Sequence, residues 1–291
     1  MTSETEQFGS RRKLLSGATL VAAGTAATTL MTKPTAAQSV SGRFAGKVVA
    51  ITGGNSGIGE ACMRAFAKEG AKVMFCARRD ELGRKVEREV KAAGGDVTWM
   101  RTDVREHAQV KAFIDATITR YGRLDVLFNN AGIFMTPGEV QDITTENYLD
   151  IMLTNAGGAF FGMKYAVPQM RRQGSGVIVN NASVAGHMGF PNTAAYNASK
   201  HAIIGMTKAV AKANGKHNIR VNSISPLAVD TPQLRESFEF QKITYEQVAP
   251  NFVTPRIMDV KEMASAVMFL ASDQATSMTG MDLDVTGGHM A

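Results

Sequence analysis

From Gly46 onward, short β-branched or apolar runs alternate with longer stretches in which apolar residues return every three to four positions. The short runs predict strands over Lys47 to Thr52, Lys72 to Cys76, Val97 to Met100, Leu124 to Asn129, Gly176 to Asn181, Arg220 to Ile224 and Asp282 to Val285. The longer ones predict helices over Gly57 to Lys68, Asp80 to Ala93, Glu106 to Tyr121, Thr145 to Arg172, Ala194 to Asn214 and Val260 to Ala271. Steady alternation of this kind means parallel strands joined by right-handed crossovers, with helices covering both faces. The expected fold is therefore a doubly wound α/β sheet of about seven strands in one domain over residues 46–291. In such sheets ligands bind beyond the carboxyl ends of the strands, and polar clusters follow the strands at Thr52 to Gly59, Ala77 to Arg79, Asp103, Asn129 to Gly132, Asn181 to Ser183 and Pro226 to Thr231.

The start of the chain breaks this pattern. Arg11 and Arg12 precede an uncharged stretch from Leu14 to Met31, rich in Ala, Thr and Gly, and Thr35-Ala36-Ala37 supplies small residues for cleavage after Ala37. Residues 1–37 thus resemble a twin-arginine export signal, 38–45 a short linker, and the implied location is the periplasm or another exported compartment. A leader kept in the cytoplasm is the alternative. The stretch is too diluted with Thr and Gly for a stable membrane span. A twin-arginine route carries folded proteins, so a bound cofactor would travel with this one.

Composition narrows the function. The net charge of +6 holds +2 within the first 37 residues, and the remaining bases are spread along the helices without a stripe of interleaved aromatics, which argues against nucleic acid as a partner. Cys62 and Cys76 fall in a helix and a strand and read as core thiols. Neither they nor the five histidines show metal-ligand spacing, so no metal is expected.

Thr52-Gly53-Gly54-Asn55-Ser56-Gly57-Ile58-Gly59 joins the first strand to the first helix with the spacing Gly-x-x-x-Gly-x-Gly. Glycines let the backbone turn and approach a pyrophosphate, and the helix N-terminus holds the anion, which points to a dinucleotide. At the end of the second strand Ala77 stands where an acidic residue would accept both adenosine ribose hydroxyls, and it is followed by Arg78 and Arg79. Two guanidiniums there suit a 2′-phosphate, so NADP is expected over NAD. Asp103 and Val104 follow the third strand, with Asp103 placed for the adenine amino group. Asn129-Asn130-Ala131-Gly132 closes the fourth, where an Asn can tie loops together and Gly lets the chain pass close to the cofactor.

Tyr196 and Lys200 lie four apart on one helix face. A free phenol titrates at about 10, and a nearby ammonium with a cationic nicotinamide would favour phenolate. Ser183, at the end of the fifth strand, can donate a hydrogen bond to a substrate oxygen.

Taken together, the glycine loop, Asn129-Asn130-Ala131-Gly132, Asn155, Ser183 and Tyr196-x-x-x-Lys200 resemble the short-chain dehydrogenase/reductase family in order and spacing, over essentially all of Gly46 to Ala291. The resemblance implies hydride transfer between a nicotinamide cofactor and a carbonyl or secondary alcohol. It implies Tyr196 as general acid/base, Lys200 holding the nicotinamide ribose, Ser183 orienting the substrate oxygen and Asn155 supporting a water relay. Pro226, Val229 and Thr231 join the cofactor-contacting set, the last two at the carboxamide end. A homodimer or homotetramer is implied as well. Two departures alter loops near the cofactor: Leu227 where the family usually has Gly, and Thr286 where it usually has Asp. The segment from Pro232 to Met258 corresponds to the substrate lid, with Leu234, Phe238, Phe240, Tyr245 and Phe252 available to cover an apolar substrate. His187 and Met188 read equally as pocket or surface loop. A silent dinucleotide-binding sensor, and a lyase or epimerase using its cofactor transiently, are the competing functions.

Overall fold

The computed structural model describes residues 42–134 and 137–291, so the expected leader and all but the last residues of the linker lie outside the described residues. Among the described residues seven strands form one parallel sheet: β1 (Val48–Thr52), β2 (Lys72–Ala77), β3 (Asp96–Arg101), β4 (Val126–Asn129), β5 (Gly176–Asn181), β6 (Ile219–Pro226) and β7 (Asp282–Val285). Their order is β3-β2-β1-β4-β5-β6-β7. The order reverses between β1 and β4, which opens a crevice at their carboxyl ends. Central β1 is buried at every position, which is why it reads as a continuous apolar run instead of an alternating one.

Helices α1 (Gly57–Lys68), α2 (Asp80–Ala92) and α3 (His107–Tyr121) follow the first three strands. In α1 the buried Gly59, Cys62, Met63, Phe66 and Ala67 recur at helical spacing and face the sheet. Gly122, at φ 78°, stops α3 in the left-handed conformation a side chain resists. After β5 comes α6 (Ala194–Asn214), and α9 (Val260–Ala271) opens on a capping box of Asp259 and Glu262. One core packs α1, α2 and α9 on one face, and a second packs α3, α6 and the helix before β5 on the other. Phe66, Phe75, Phe113 and Phe128 are fully buried across these layers, each contributing roughly 1.5–3 kcal/mol of apolar burial. Cys62 and Cys76 are free and buried, as expected of core thiols, and burial pushes the Cys76 thiol up to about 12.

The helix expected over Thr145 to Arg172 runs unbroken from Thr145 to Gln173 but widens midway. Its parts are α4 (Thr145–Ile151), a π-helical turn (Met152–Gly157) and α5 (Gly158–Gln173). Periodicity alone misses a single widened turn, because the apolar face resumes beyond it. Asn155 sits inside that turn. Between β6 and α9 the chain forms α7 (Pro232–Gln241) and α8 (Tyr245–Val248). The base of this excursion is stitched by Met258 N donating to Ala228 O at 3.0 Å and Asp230 N donating to Met258 O at 2.8 Å, so the lid is an Ω-like loop with a closed neck.

Candidate active site

The carboxyl ends of the strands border a cleft of about 830 Å³. Gly53 and Gly57 turn the chain with φ of 68° and 54°, and a Cβ on Gly59 would run into Gly53 O and the Asn130 amide, so loop and helix close tightly. Ser56 is the N-cap residue of α1 but makes no capping bond, which leaves the first-turn donors free at the cleft lined by Gly57 and Ile58. Its hydroxyl instead accepts from Arg79 Nη2 at 2.8 Å, and Asn55 Nδ2 donates to Arg79 O at 3.2 Å. Arg78, Arg79 and Ala77 line the same end.

Thr52 lies beneath the lining. Its Oγ1 accepts from Asn130 N and Ala131 N, both at 3.0 Å. Asn130 Nδ2 reaches Thr52 O and Gly53 O, and its Oδ1 accepts from Asn181 Nδ2 at 3.0 Å. One side chain thus fastens the loops after β1, β4 and β5, the tying role expected of an Asn there. Ala131, Gly132 and Val104 line the cleft. Asp103 does not: Arg105 grips its carboxylate, with Nη2 on Oδ2 at 2.6 Å, and holds it below the ordinary carboxylate value. A guanidinium two residues on makes a fork with this carboxylate.

Ser183, Tyr196 and Lys200 line one wall together. Ser183 Oγ accepts from Ala185 N at 3.1 Å, which leaves its hydrogen to donate. Lys200 is buried, its Nζ donating to Asn181 O at 2.8 Å and lying 5.5 Å from the Tyr196 ring centre. Burial lowers Lys200 to about 8. Enclosure raises the Tyr196 phenol, and a hydrogen bond from Ser183 opposes that rise. Asn155 stands behind this wall, outside the lining: its Nδ2 donates to Ser199 Oγ at 3.0 Å and to Ile133 O, and its Oδ1 accepts from Ile133 N. Pro226, Val229 and Thr231 line the cleft after β6, and Thr231 Oγ1 caps α7 through Leu234 N at 3.2 Å.

Residues 53–290 match a sequence family described as enoyl-(acyl carrier protein) reductase. Short-chain dehydrogenase reductase 3a of Arabidopsis thaliana is 36% identical over 249 residues, covering 85% of this chain and 96% of the relative. An actinorhodin polyketide ketoreductase with NADPH superposes with a TM-score of 0.80 at 33% identity, covering 83% of this chain and 96% of that one. NAD+-bound xylitol dehydrogenase gives 0.81 at 33% identity, covering 84% and 100%.

The chain belongs to the short-chain dehydrogenase/reductase family. It is an NAD(P)-dependent oxidoreductase acting on alcohol or carbonyl groups. Two observations fit the cleft of this short-chain dehydrogenase/reductase to a nicotinamide dinucleotide: the uncapped N-terminus of α1, and a buried, unpartnered Asn181 Oδ1 among the lining residues.

Its departures from the family pattern are absorbed locally. Leu227 lies outside the left-handed region, so no glycine is required there, and its side chain packs beside Val229 and Met258. Thr286 is buried and its Oγ1 accepts from His289 N at 3.0 Å, an oxygen acceptor where the family has a carboxylate. Of the lid aromatics, Phe238 and Phe252 line the cleft with Leu234, Tyr245 donates to Asp230 at 2.7 Å, and Phe240 faces solvent. His187 and Met188 are outside the lining, His187 pairing with Asp282 at 2.6 Å. Phe134, Phe190 and Gln233 join the lining without any local motif to announce them. Among the described residues no group of His, Cys, Asp or Glu could hold a metal ion, and no helix is long and apolar enough to cross a membrane.

Proposed function

We propose that this enzyme transfers hydride between NADP and the carbonyl carbon, or the matching secondary alcohol, of an uncharged substrate with an apolar body. The observation that carries the reading is the convergence of Ser183, Tyr196 and Lys200 on one cleft wall, with the Ser183 hydroxyl beside the phenol and the Lys200 ammonium 5.5 Å from the phenol ring centre. When bound, the nicotinamide ring supplies or takes the hydride. Ser183 Oγ donates to the substrate oxygen and holds it beside Tyr196, whose hydroxyl gives a proton to that oxygen in reduction and takes it in oxidation. Lys200 has one donor on Asn181 O, so two remain for the nicotinamide ribose. Asn155 braces the wall through Ser199 and Ile133.

Preference for NADP is supported by Arg78 and Arg79 beside a non-acidic Ala77, and by Arg79 already resting on the phosphate loop at Ser56. An uncharged substrate is supported by the state of the lid's arginines: Arg235 is paired with Asp230 and Arg256 with Glu262, while Glu236 is the acid at the lining. Phe134, Phe190, Phe238 and Phe252 give that end an aromatic surface. The enzyme is read as a homodimer or homotetramer, exported by the leader of residues 1–37. Recovery of a chain beginning at Gln38 from the exported fraction supports that leader, and an intact N-terminus there refutes its cleavage.

The direct test is a panel of neutral ketones and secondary alcohols followed at the nicotinamide absorbance with NADPH and NADH. Turnover with NADPH at least about tenfold more efficient than with NADH is expected. Consumption of substrate without net change in nicotinamide would instead mark a lyase or epimerase, and cofactor binding without any turnover a sensor.

A further inference from the structure

The segment Gly132 to Phe134, after β4, is gripped by two side-chain amides. Asn155 takes the middle residue, with Oδ1 accepting from Ile133 N at 2.8 Å and Nδ2 donating to Ile133 O at 3.0 Å. Gln233, in the first turn of α7, takes the residues on either side. With its amide oriented so that donor meets acceptor, Nε2 donates to Gly132 O and Oε1 accepts from Phe134 N, each at 3.2 Å. The two grips differ in kind. Asn155 is 1% exposed and sits in the floor, whereas Gln233 is exposed and rides on the lid.

The gripped segment borders the proton-transfer wall. The Phe134 ring meets the Tyr196 ring edge-on, with centres 4.9 Å apart and planes at 74°. At the same time Thr231 and Pro232 lie against the phosphate loop, 3.2 and 3.9 Å from where a Cβ on Gly57 would stand. Residues 231–233 therefore reach from the loop after β1 to the loop after β4, across the point where strand order reverses.

We propose that Gln233 is a positioning residue. Through its two hydrogen bonds, closure of the lid fixes Gly132 and Phe134 and so sets the aromatic wall against Tyr196. The Asn155 grip holds whether the lid is up or down; the Gln233 grip exists only when it is down. The inference rests on the reading of Tyr196 as the proton-transfer group, so its test has an arm that needs no turnover.

That arm compares residue-resolved amide hydrogen exchange in the full chain and in Gln233→Met, which keeps side-chain length and loses both hydrogen bonds. Faster exchange at Phe134, with Ile133 unchanged, is expected. Equal exchange at Phe134 overturns the proposal. In the second arm, Gln233→Met lowers kcat by about tenfold while nucleotide affinity stays within about twofold. Phe134→Leu lowers kcat as well, and the double variant is no slower than the slower single one, because both act through one ring. Losses that multiply overturn the coupling. A wild-type chain that reduces no carbonyl sinks the chemical reading of Tyr196, while the exchange arm still decides whether the lid orders the loop.

Discussion

In the floor of the cleft, Asn155, Ser183 and Lys200 are each less than a tenth exposed, Asn155 and Lys200 bonded to distant segments and Ser183 to the turn that follows it, whereas most of the lid's polar ties are ion pairs near the surface, to Asp230 at its neck and to Glu262 in α9. Arg235 and Tyr245 meet on Asp230 at the neck, and Arg256 forks onto Glu262 of α9. Exposed pairs of this sort contribute roughly 0–1 kcal/mol each, so the lid can open at small cost while the floor cannot shift without exposing buried polar groups. The difference teaches a division of labour. Fixed elements hold the atoms that move protons, and a loosely held Ω-like loop shapes what reaches them.

On that division, floor substitutions strike turnover and lid substitutions strike substrate affinity, Gln233 excepted because it acts on the loop beside Tyr196. Tyr196→Phe has the largest expected effect, a fall in kcat of at least about 100-fold with nucleotide binding retained. Stopped-flow turnover beside equilibrium nucleotide titration measures both, and a kcat within about threefold of wild type removes the assigned role.

Lys200→Met comes next, with kcat down about 10- to 100-fold, and it carries an opposite effect on stability. Burial holds the folded-state Lys200 at about 8 against 10.5 for the free side chain. Between those values the unfolded chain binds the proton that the folded chain has lost, so stability rises with pH across that window, and below it the whole desolvation cost is present. The variant without nucleotide should therefore be more stable than wild type at pH 7 by roughly 1–3 kcal/mol, an advantage that fades as pH approaches 10.5. Denaturant titration at both ends of the window checks the sign. A less stable variant at neutral pH would mean that the ammonium gains more from Asn181 O than it loses by burial.

Ala77→Asp sits at the adenosine end and should leave both turnover and lid behaviour alone. A carboxylate beside Arg78 and Arg79 repels a 2′-phosphate and accepts ribose hydroxyls, so the ratio of kcat/KM with NADPH to that with NADH should fall by about tenfold. An unchanged ratio removes the argument for NADP built on that strand end.

The contrast between floor and lid also decides what could be read from the chain. Strand ends were legible because their chemistry is local: glycine spacing at Gly53, Gly57 and Gly59, two arginines after β2, and a tyrosine and lysine one helical turn apart all lie within a few residues of each other. The sheet followed from the alternation of periods, and all seven expected strands are present with boundaries within two residues of the expected ones. What escaped is non-local. Asn155 bonds Ser199 across 44 positions, and Gln233 meets a loop about one hundred residues earlier, so neither pairing leaves a periodic trace. Asp103 carries a local trace of its own, since the Arg105 that forks onto its carboxylate stands only two residues on.

The smallest effects come from two phenylalanines on one helix of the lid. Phe238 is 8% exposed, lines the cleft and meets Tyr245 edge-on at 5.2 Å, while Phe240, two residues on, is 63% exposed. A turn of 200° separates their directions on a helix, so one points into the cleft and the other away from it. Phe238→Ala should raise KM for an apolar ketone by about three- to tenfold with kcat nearly unchanged, because it removes apolar contact made equally in ground and transition states. Phe240→Ala should alter KM by less than about twofold and stability by less than about 0.5 kcal/mol, as expected of an exposed side chain. Paired Michaelis curves and sedimentation of the two variants separate the cases. If Phe240→Ala raises KM as much as Phe238→Ala and also changes the sedimenting species, the outer face of the lid is covered by a second copy of the chain, and the lid is then held from outside as firmly as the floor is held from within.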